Sequence, residues 1–351
     1  MTALENILRD VIKAEGPVTV ARFMQLALSH PQHGYYIKGD PLGVAADFTT
    51  APEISQMFGE MIGLWMVEQW QAQGSPAPFT LLELGAGRGT LLADALRATA
   101  KVPNFHTAMR LRIIESNETL KAMQRDKLAA YHPTYGADLS DLPEHPVFMI
   151  ANEFFDVMPI HQYERHAEGW RERLVGLDET GSLIFVAGTQ TIPLPLPEGV
   201  SFYELSPAAI GLAQAMGSHI AAQGGAALII DYGYAENSGS DTLQAVSGHA
   251  SVDPLARAGA VDLTAHVDFA ALRLVALKEA VFVPPIIGQG AFLKALGIDL
   301  RARQLKMQGT LEQADAIDEA LHRLTSAEEM GVLFKVMAIS PKAFQDLAGF
   351  P

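Results

Sequence analysis

Apolar positions along this chain follow a helical spacing first and a strand-like spacing later. In "TALENILRDVIKAEGP" (2–17), Leu4, Ile7, Leu8, Val11 and Ile12 recur at three- and four-residue steps. Thr2 and Glu5 have the spacing of a capping box, and Gly16-Pro17 ends the run. A second helix is expected over "TVARFMQLALSH" (19–30), capped by Thr19. A third and longer one is expected over "PEISQMFGEMIGLWMVEQWQAQG" (52–74), with Thr50 as its cap and Pro52 in its first turn. The turn-rich stretch between them reads as irregular. Residues 1–78 are therefore expected to form a helical N-terminal extension.

From residue 79 the pattern changes. "FTLLEL" (79–84), the apolar part of "AMRLRIIES" (108–116), "PVFMIAN" (146–152), "AALIIDYGY" (226–234) and "MGVLFKVMAISP" (330–341) are short unbroken apolar runs. Such runs suit strands buried on both faces. The first of them alternate with the helical patterns "TLLADALRATA" and "NETLKAMQRDKLAA", the latter with Asn117 as cap. Strands alternating with helices predict an α/β fold with a Rossmann-like, mainly parallel sheet. Residues 161–190 interrupt it with an apolar/polar alternation around Asp178–Gly181, which predicts an inserted β-hairpin. Residues 236–267 read as a long surface excursion. The expected organisation is an extension (1–78), the first part of the sheet (79–159), the inserted hairpin and connector (160–225), and the rest of the sheet with its long loop and closing strand (226–351).

Composition narrows the chemistry. The 351 residues are 49% hydrophobic, enough for a sizeable core. The formal net charge is −15, and such a surface repels nucleic-acid backbones and anionic lipid. There is no cysteine, so disulfides, thiolate metal sites and cysteine nucleophiles are excluded. The histidines are scattered, so no metal site is expected. No apolar run has the length of a membrane span. The opening "MTALENILRD" is mixed acidic and apolar and does not read as a secretory signal, so a cytoplasmic protein is expected.

The candidate site begins at "LLELGAGRGT" (81–90). Gly85, Gly87 and Gly89 follow a buried strand at every second position. Glycines allow a tight turn with close backbone approach, and the helix that follows offers free N–H groups. A dinucleotide fingerprint needs its third glycine at position 90, where Thr90 stands. Glu83, immediately before the turn, would repel a pyrophosphate but suits the ammonium of a donor such as S-adenosylmethionine. Glu115, at the end of the second strand, stands where a nucleoside-binding fold places its ribose-holding acid. Asp138 and Leu139 are candidates to frame an adenine, the acid for the exocyclic amine and the leucine for the ring.

Ligands of such sheets lie beyond the carboxyl ends of the strands. The fourth strand ends in "IANEFFDVMP", which puts Asn152, Glu153 and Asp156 at the rim. On a helical turn Glu153 and Asp156 would share one face. Phe154 and Phe155 would then wall a substrate channel. Methyl transfer from a sulfonium needs alignment and the management of one proton. A guanidinium acceptor is charged at neutral pH, so paired carboxylates suit it better than a hydroxyl. Further candidates for substrate contact are Glu53, His266 and Gln289. For each there is a plain structural alternative: helix-dipole stabilisation, a helix start, and a turn.

Seven collinear stretches carry a family resemblance: "DFTTAPEISQMFGE", "LLELGAGRGTLLADALR", "ANEFFDVMPIHQYE", "ALIIDYGY", "AVDLTAHVDFAAL", "GQGAFLKALGI" and "MGVLFKVMAIS". Together they resemble the MidA-type class I methyltransferases, bacterial relatives of a mitochondrial complex I assembly factor. The resemblance implies a seven-stranded sheet with S-adenosyl-L-methionine as cofactor, bound at Glu83, Gly85, Gly87 and Gly89. It also implies a protein substrate modified on arginine, with a respiratory NADH dehydrogenase subunit as the expected partner. Ala86 departs from the proline often found there in the family, but a small residue keeps the turn. A small-molecule O- or N-methyltransferase and a non-catalytic assembly chaperone are the competing expectations.

Overall fold

The computed structural model describes residues 2–37, 49–193, 199–236, 239–248 and 250–351. Part of the irregular stretch before residue 49 and part of the proline-rich connector lie outside them. The chain divides into two compact units, one of residues 1–48, 156–210 and 236–268, the other of residues 49–155, 211–235 and 269–351. These divisions fall elsewhere than at 78, 159 and 225.

In the first unit the N-terminal helices do not form an extension of their own. Ala3–Glu15 starts with the expected capping box, Thr2 Oγ1 accepting from Glu5 N and Glu5 Oε2 from Thr2 N. Val20–Ser29 is capped by Thr19. Their apolar faces, with Leu4, Leu8, Phe23 and Met24, share one core with Val175, Ala245 and Leu263. Val175 belongs to the inserted strands, which are more than a hairpin. The sheet runs Val18–Thr19, Gly169–Leu177, His161–His166, Phe202–Leu205, with Leu183–Ile192 also paired to Gly169–Leu177. The expected turn is held by Asp178, whose Oδ1 accepts from Thr180 N and Ser182 N at 2.8 Å each. The reading of residues 236–267 as a surface excursion is corrected as well. These residues contribute the antiparallel strands Gln244–Ser247, Ala250–Val252 and Asp262–Thr264, and Ala245, Ala258 and Val261 are wholly buried.

The second unit holds the expected sheet. Along its main path seven strands run in the order Val281–Phe282, Phe334–Pro341, Gly225–Tyr234, Val147–Asn152, Phe79–Leu84, Met109–Ile114, Thr134–Gly136. Phe79–Leu84 is parallel to both of its neighbours, and Val147–Asn152 is parallel to Gly225–Tyr234. The two strands at the Val281 end pair antiparallel. Every residue of Phe79–Leu84 and Val147–Asn152 is buried, which is why these runs are unbroken rather than alternating.

The helix expected over 52–74 is two helices, Ala51–Ile54 and Gln56–Ala72. Ser55 is extended between them (φ −160°), and its hydroxyl accepts from Met57 N to cap the second. Thr50 does not cap the first with its side chain. Gln56–Ala72 packs closely on Thr90–Thr99, the helix that follows the glycine turn. A Cβ on Gly63 would lie 2.7 Å from Ala95 Cα, so the approach requires glycine there. Buried Glu60 fixes this arrangement, accepting from Arg97 Nη1 (2.9 Å) and from Arg301 Nε (2.6 Å) and Nη2 (3.0 Å). Replacing Glu60 by leucine leaves two guanidiniums without their shared anion. Because both arginines keep solvent access, the expected cost is about 2 kcal/mol, below that of a fully buried pair. Urea unfolding at constant slope measures it. Among the described residues no helix is long and apolar enough to cross a membrane.

Candidate functional site

The glycine turn closes immediately beyond Phe79–Leu84. Gly85, Gly87 and Gly89 all have positive φ (66°, 53° and 73°), the left-handed region that side chains disfavour. Gly85 N donates to Ile114 O at 2.8 Å and Gly89 N to Ala86 O at 2.7 Å. A Cβ on Gly85 would also meet the Phe154 ring at 2.6 Å. Gly89 is the N-cap of Thr90–Thr99, and no side chain caps that helix. Thr90, where a dinucleotide motif would have glycine, donates its hydroxyl to Glu53 Oε1 (2.6 Å) and accepts from Lys127 Nζ (2.8 Å).

Two acids flank the turn. Glu83 is 3% exposed, and its Oε2 has no hydrogen-bond partner among the described residues. Burial, followed by the charge of Glu115, pushes its carboxyl up to about 8. Glu115 is half-buried. Its Oε1 accepts from Ser116 N and Asn117 N at 2.9 Å, and its Oε2 from Gln124 Nε2 at 3.3 Å. Burial raises its carboxyl too, opposed by those hydrogen bonds. Gln124 has no counterpart in the sequence expectations. It is wholly buried, its amide nitrogen also donates to Gly87 O at 2.7 Å, and its Oε1 has no partner among the described residues.

At the tip of Val147–Asn152 the helical turn expected for Glu153 and Asp156 is absent. Glu153 has φ +50°, and the boundary between the two units falls between Phe155 and Asp156. The turn is set by Asp231, a fully buried acid of Gly225–Tyr234. Its Oδ2 accepts from Phe154 N (3.1 Å) and Phe155 N (3.0 Å), and its Oδ1 from Tyr232 N (2.9 Å). Glu153 N donates to Ile230 O at 2.9 Å. Glu153 Oε1 accepts from Ala51 N (2.8 Å) and Asn152 Nδ2 (3.1 Å). This leaves Asn152 Oδ1, buried, without a partner among the described residues.

The remaining candidates divide. Phe155 is 3% exposed and Phe154 packs on the glycine turn, so Phe155 is core and not a channel wall. Gln289 is fully buried and donates to Leu324 O at 2.9 Å, tying its helix to Leu311–Thr325; it does not face a peptide. Asp138 is exposed and makes a local turn, accepting from Ser140 N, and hydrogen bonds from Ser140 hold its carboxyl below the usual range. Leu139, after it, is half-buried. Asp156 and His266 belong to the first unit. Asp156 is buried, with its backbone oxygen accepting from Ala265 N, and His266 N donates to Thr242 Oγ1. Tyr36 donates to Asp262 Oδ1 at 2.8 Å, and burial with the charges of Asp262 and Asp156 raises its phenol well above the usual range.

Glu83 Oε2, Gln124 Oε1 and Asn152 Oδ1 are thus buried acceptors without partners among the described residues, around one glycine turn. Acceptors suit a ligand that brings hydrogen-bond donors and a positive charge. They do not suit a pyrophosphate, and S-adenosylmethionine matches this set. A family profile of S-adenosyl-L-methionine-dependent methyltransferases matches residues 61–285. The chain belongs to this methyltransferase family. It is 36% identical to "Protein arginine methyltransferase NDUFAF7, mitochondrial" of Mus musculus, over 94% of this chain and 82% of that one. Identity to the Drosophila melanogaster homolog is 33%, over 97% and 85%. Among solved structures, a Burkholderia thailandensis protein bound to S-adenosyl-homocysteine superposes with a TM-score of 0.84 at 28% identity, covering 99% of this chain and 94% of that one. A native crystal structure from the same organism gives 0.82 at 27%. The class I methyltransferase fold, the cofactor and the family drawn from the seven motifs are therefore borne out.

Proposed function

We propose that this methyltransferase modifies an arginine side chain of a partner protein, a subunit of a respiratory NADH dehydrogenase. The observation that carries the donor half is the buried Glu83 carboxyl, whose Oε2 has no partner among the described residues, before a turn of three left-handed glycines. The acceptor half is supported by relatives that share a third of their residues over most of both chains and are named protein arginine methyltransferases. When bound, S-adenosylmethionine supplies a methyl group already activated on a positively charged sulfur. Glu83 and Asn152 would hold its ammonium, and Glu115 its ribose hydroxyls. Leu139 gives the adenine an apolar contact, and the glycine turn lets the backbone approach.

The test is transfer of label from S-adenosylmethionine in a lysate to which the purified chain is added. The expected result is label in a protein band, recovered as methylarginine after hydrolysis. Label confined to small solutes would favour a small-molecule methyltransferase. Partner assembly supported without any transfer would favour a chaperone.

A further inference from the structure

The short helix Ala51–Ile54 is fastened at two points to the elements that frame the glycine turn. Its first amide, Ala51 N, donates to Glu153 Oε1 at 2.8 Å, while its own N-cap Thr50 makes no side-chain capping bond. Its Glu53 accepts from the hydroxyl of Thr90, the first residue of the helix after the glycine turn. The segment therefore spans from the tip of Val147–Asn152 to the turn beyond Phe79–Leu84, and these two strands are parallel neighbours. A ligand seated beyond their carboxyl ends lies under it.

The backbone at Glu153 is held in the left-handed region, which a residue with a side chain keeps only where its surroundings enforce it. They do so here through three amides in a row: Glu153 N to Ile230 O, and Phe154 N and Phe155 N to Asp231 Oδ2. In that conformation the Glu153 carboxylate reaches Ala51 N–H and the Asn152 amide.

We infer that Ala51–Ile54 is a strap across the donor site and that Glu153 is its latch, a positioning residue that acts through Ala51 and Asn152. The inference rests on the reading that the glycine turn holds the donor. It gives the strained turn a function: Asp231 fixes the turn, the turn aims Glu153, and Glu153 holds the strap closed. The bond to Ala51 must open each time the donor is exchanged for its product, so the latch sets the residence time of the nucleoside.

The test uses the full chain and S-adenosyl-homocysteine as probe, with its dissociation followed by stopped flow. Glu153→Ala removes the acceptor of Ala51 N–H, and dissociation should quicken about tenfold or more, as for loss of one hydrogen bond to a charged group. Glu153→Gln keeps an oxygen for that amide and should restore slow dissociation. Thr90→Val breaks the other fastening without touching Glu153 and should also quicken release, which keeps the test open if the alanine variant does not fold. Unchanged dissociation in Glu153→Ala, or in Thr90→Val, overturns the strap. So does a Glu153→Gln protein that releases as fast as the alanine variant. Lost turnover in Glu153→Gln, with release unchanged in Glu153→Ala as well, makes the carboxylate a proton acceptor and overturns the latch. Failure of the wild-type chain to bind the probe at all counts instead against the donor-site reading, and the strap falls with it.

Discussion

Asp231→Ala should cost about 3–5 kcal/mol of folding stability and weaken S-adenosyl-homocysteine binding about a hundredfold. The side chain is 0% exposed, and its two oxygens accept from Phe154 N, Phe155 N and Tyr232 N. Alanine leaves those N–H groups without this acceptor. Each buried orphan costs about 1–3 kcal/mol, and the three do not add fully because the turn relaxes. Relaxation is itself the functional loss, since the turn carries Asn152 and Glu153 at the strand tip and seats the Phe154 ring against Gly85. Asp231→Asn keeps one oxygen and should lose about half as much stability. Urea unfolding reads the first quantity and titration calorimetry the second. An alanine variant within 1 kcal/mol of wild type would show that the turn holds itself.

Asp231 also marks where sequence reasoning stops. In "AALIIDYGY" the apolar run announces a buried strand, and the structure has one. An acid inside such a run carries no local sign of what it grips, because its partners stand 76 and 77 residues earlier. The same holds for Gln124. Within "NETLKAMQRDK" it reads as part of a polar helix face, yet it is wholly buried against the glycine turn. Features whose causes are local were legible. Thr2, Thr19 and Asn117 cap the helices they precede, Asp178 holds the hairpin turn, and the three glycines have the positive φ that their spacing called for. The helical turn expected at Glu153 failed for a non-local reason. An E-x-x-D spacing with no glycine or proline inside it satisfies the local pattern, but two backbone amides bonded to a distant carboxylate override it. The first unit was misread because its core is assembled from three separated stretches. Small buried residues such as Ala245 and Ala258 look like surface loop until helices Ala3–Glu15 and Val20–Ser29 are laid over them.

The acid before the glycine turn should make both stability and donor affinity depend on pH, in opposite directions. Glu83 has its carboxyl raised from 4.5 to about 8 by burial and by the neighbouring charge of Glu115. The folded chain therefore favours the protonated acid. The stability this confers is fully present below the unfolded value of 4.5, and it is lost as pH rises through about 8. At about 1.4 kcal/mol per pH unit of displacement, the loss approaches about 5 kcal/mol as an upper bound. Glu83→Gln mimics the protonated form and should remove this loss. Wild type and variant should match near pH 4.5, and the variant should be the more stable above pH 8. Binding runs the other way. An ammonium needs the carboxylate, so at pH 7 the free site must release a proton to receive the donor. Affinity for S-adenosyl-homocysteine should rise by up to about tenfold per pH unit toward pH 8 and then level off. Calorimetry in buffers of different ionisation heat should register that proton, and Glu83→Gln should lose both the proton release and the slope, binding more weakly than wild type at pH 8 and above. Parallel pH profiles for the two proteins would mean that Glu83 already carries its charge in the empty site. Glu83→Gln binding as tightly as wild type at every pH would mean instead that some other group receives the cationic end of the donor.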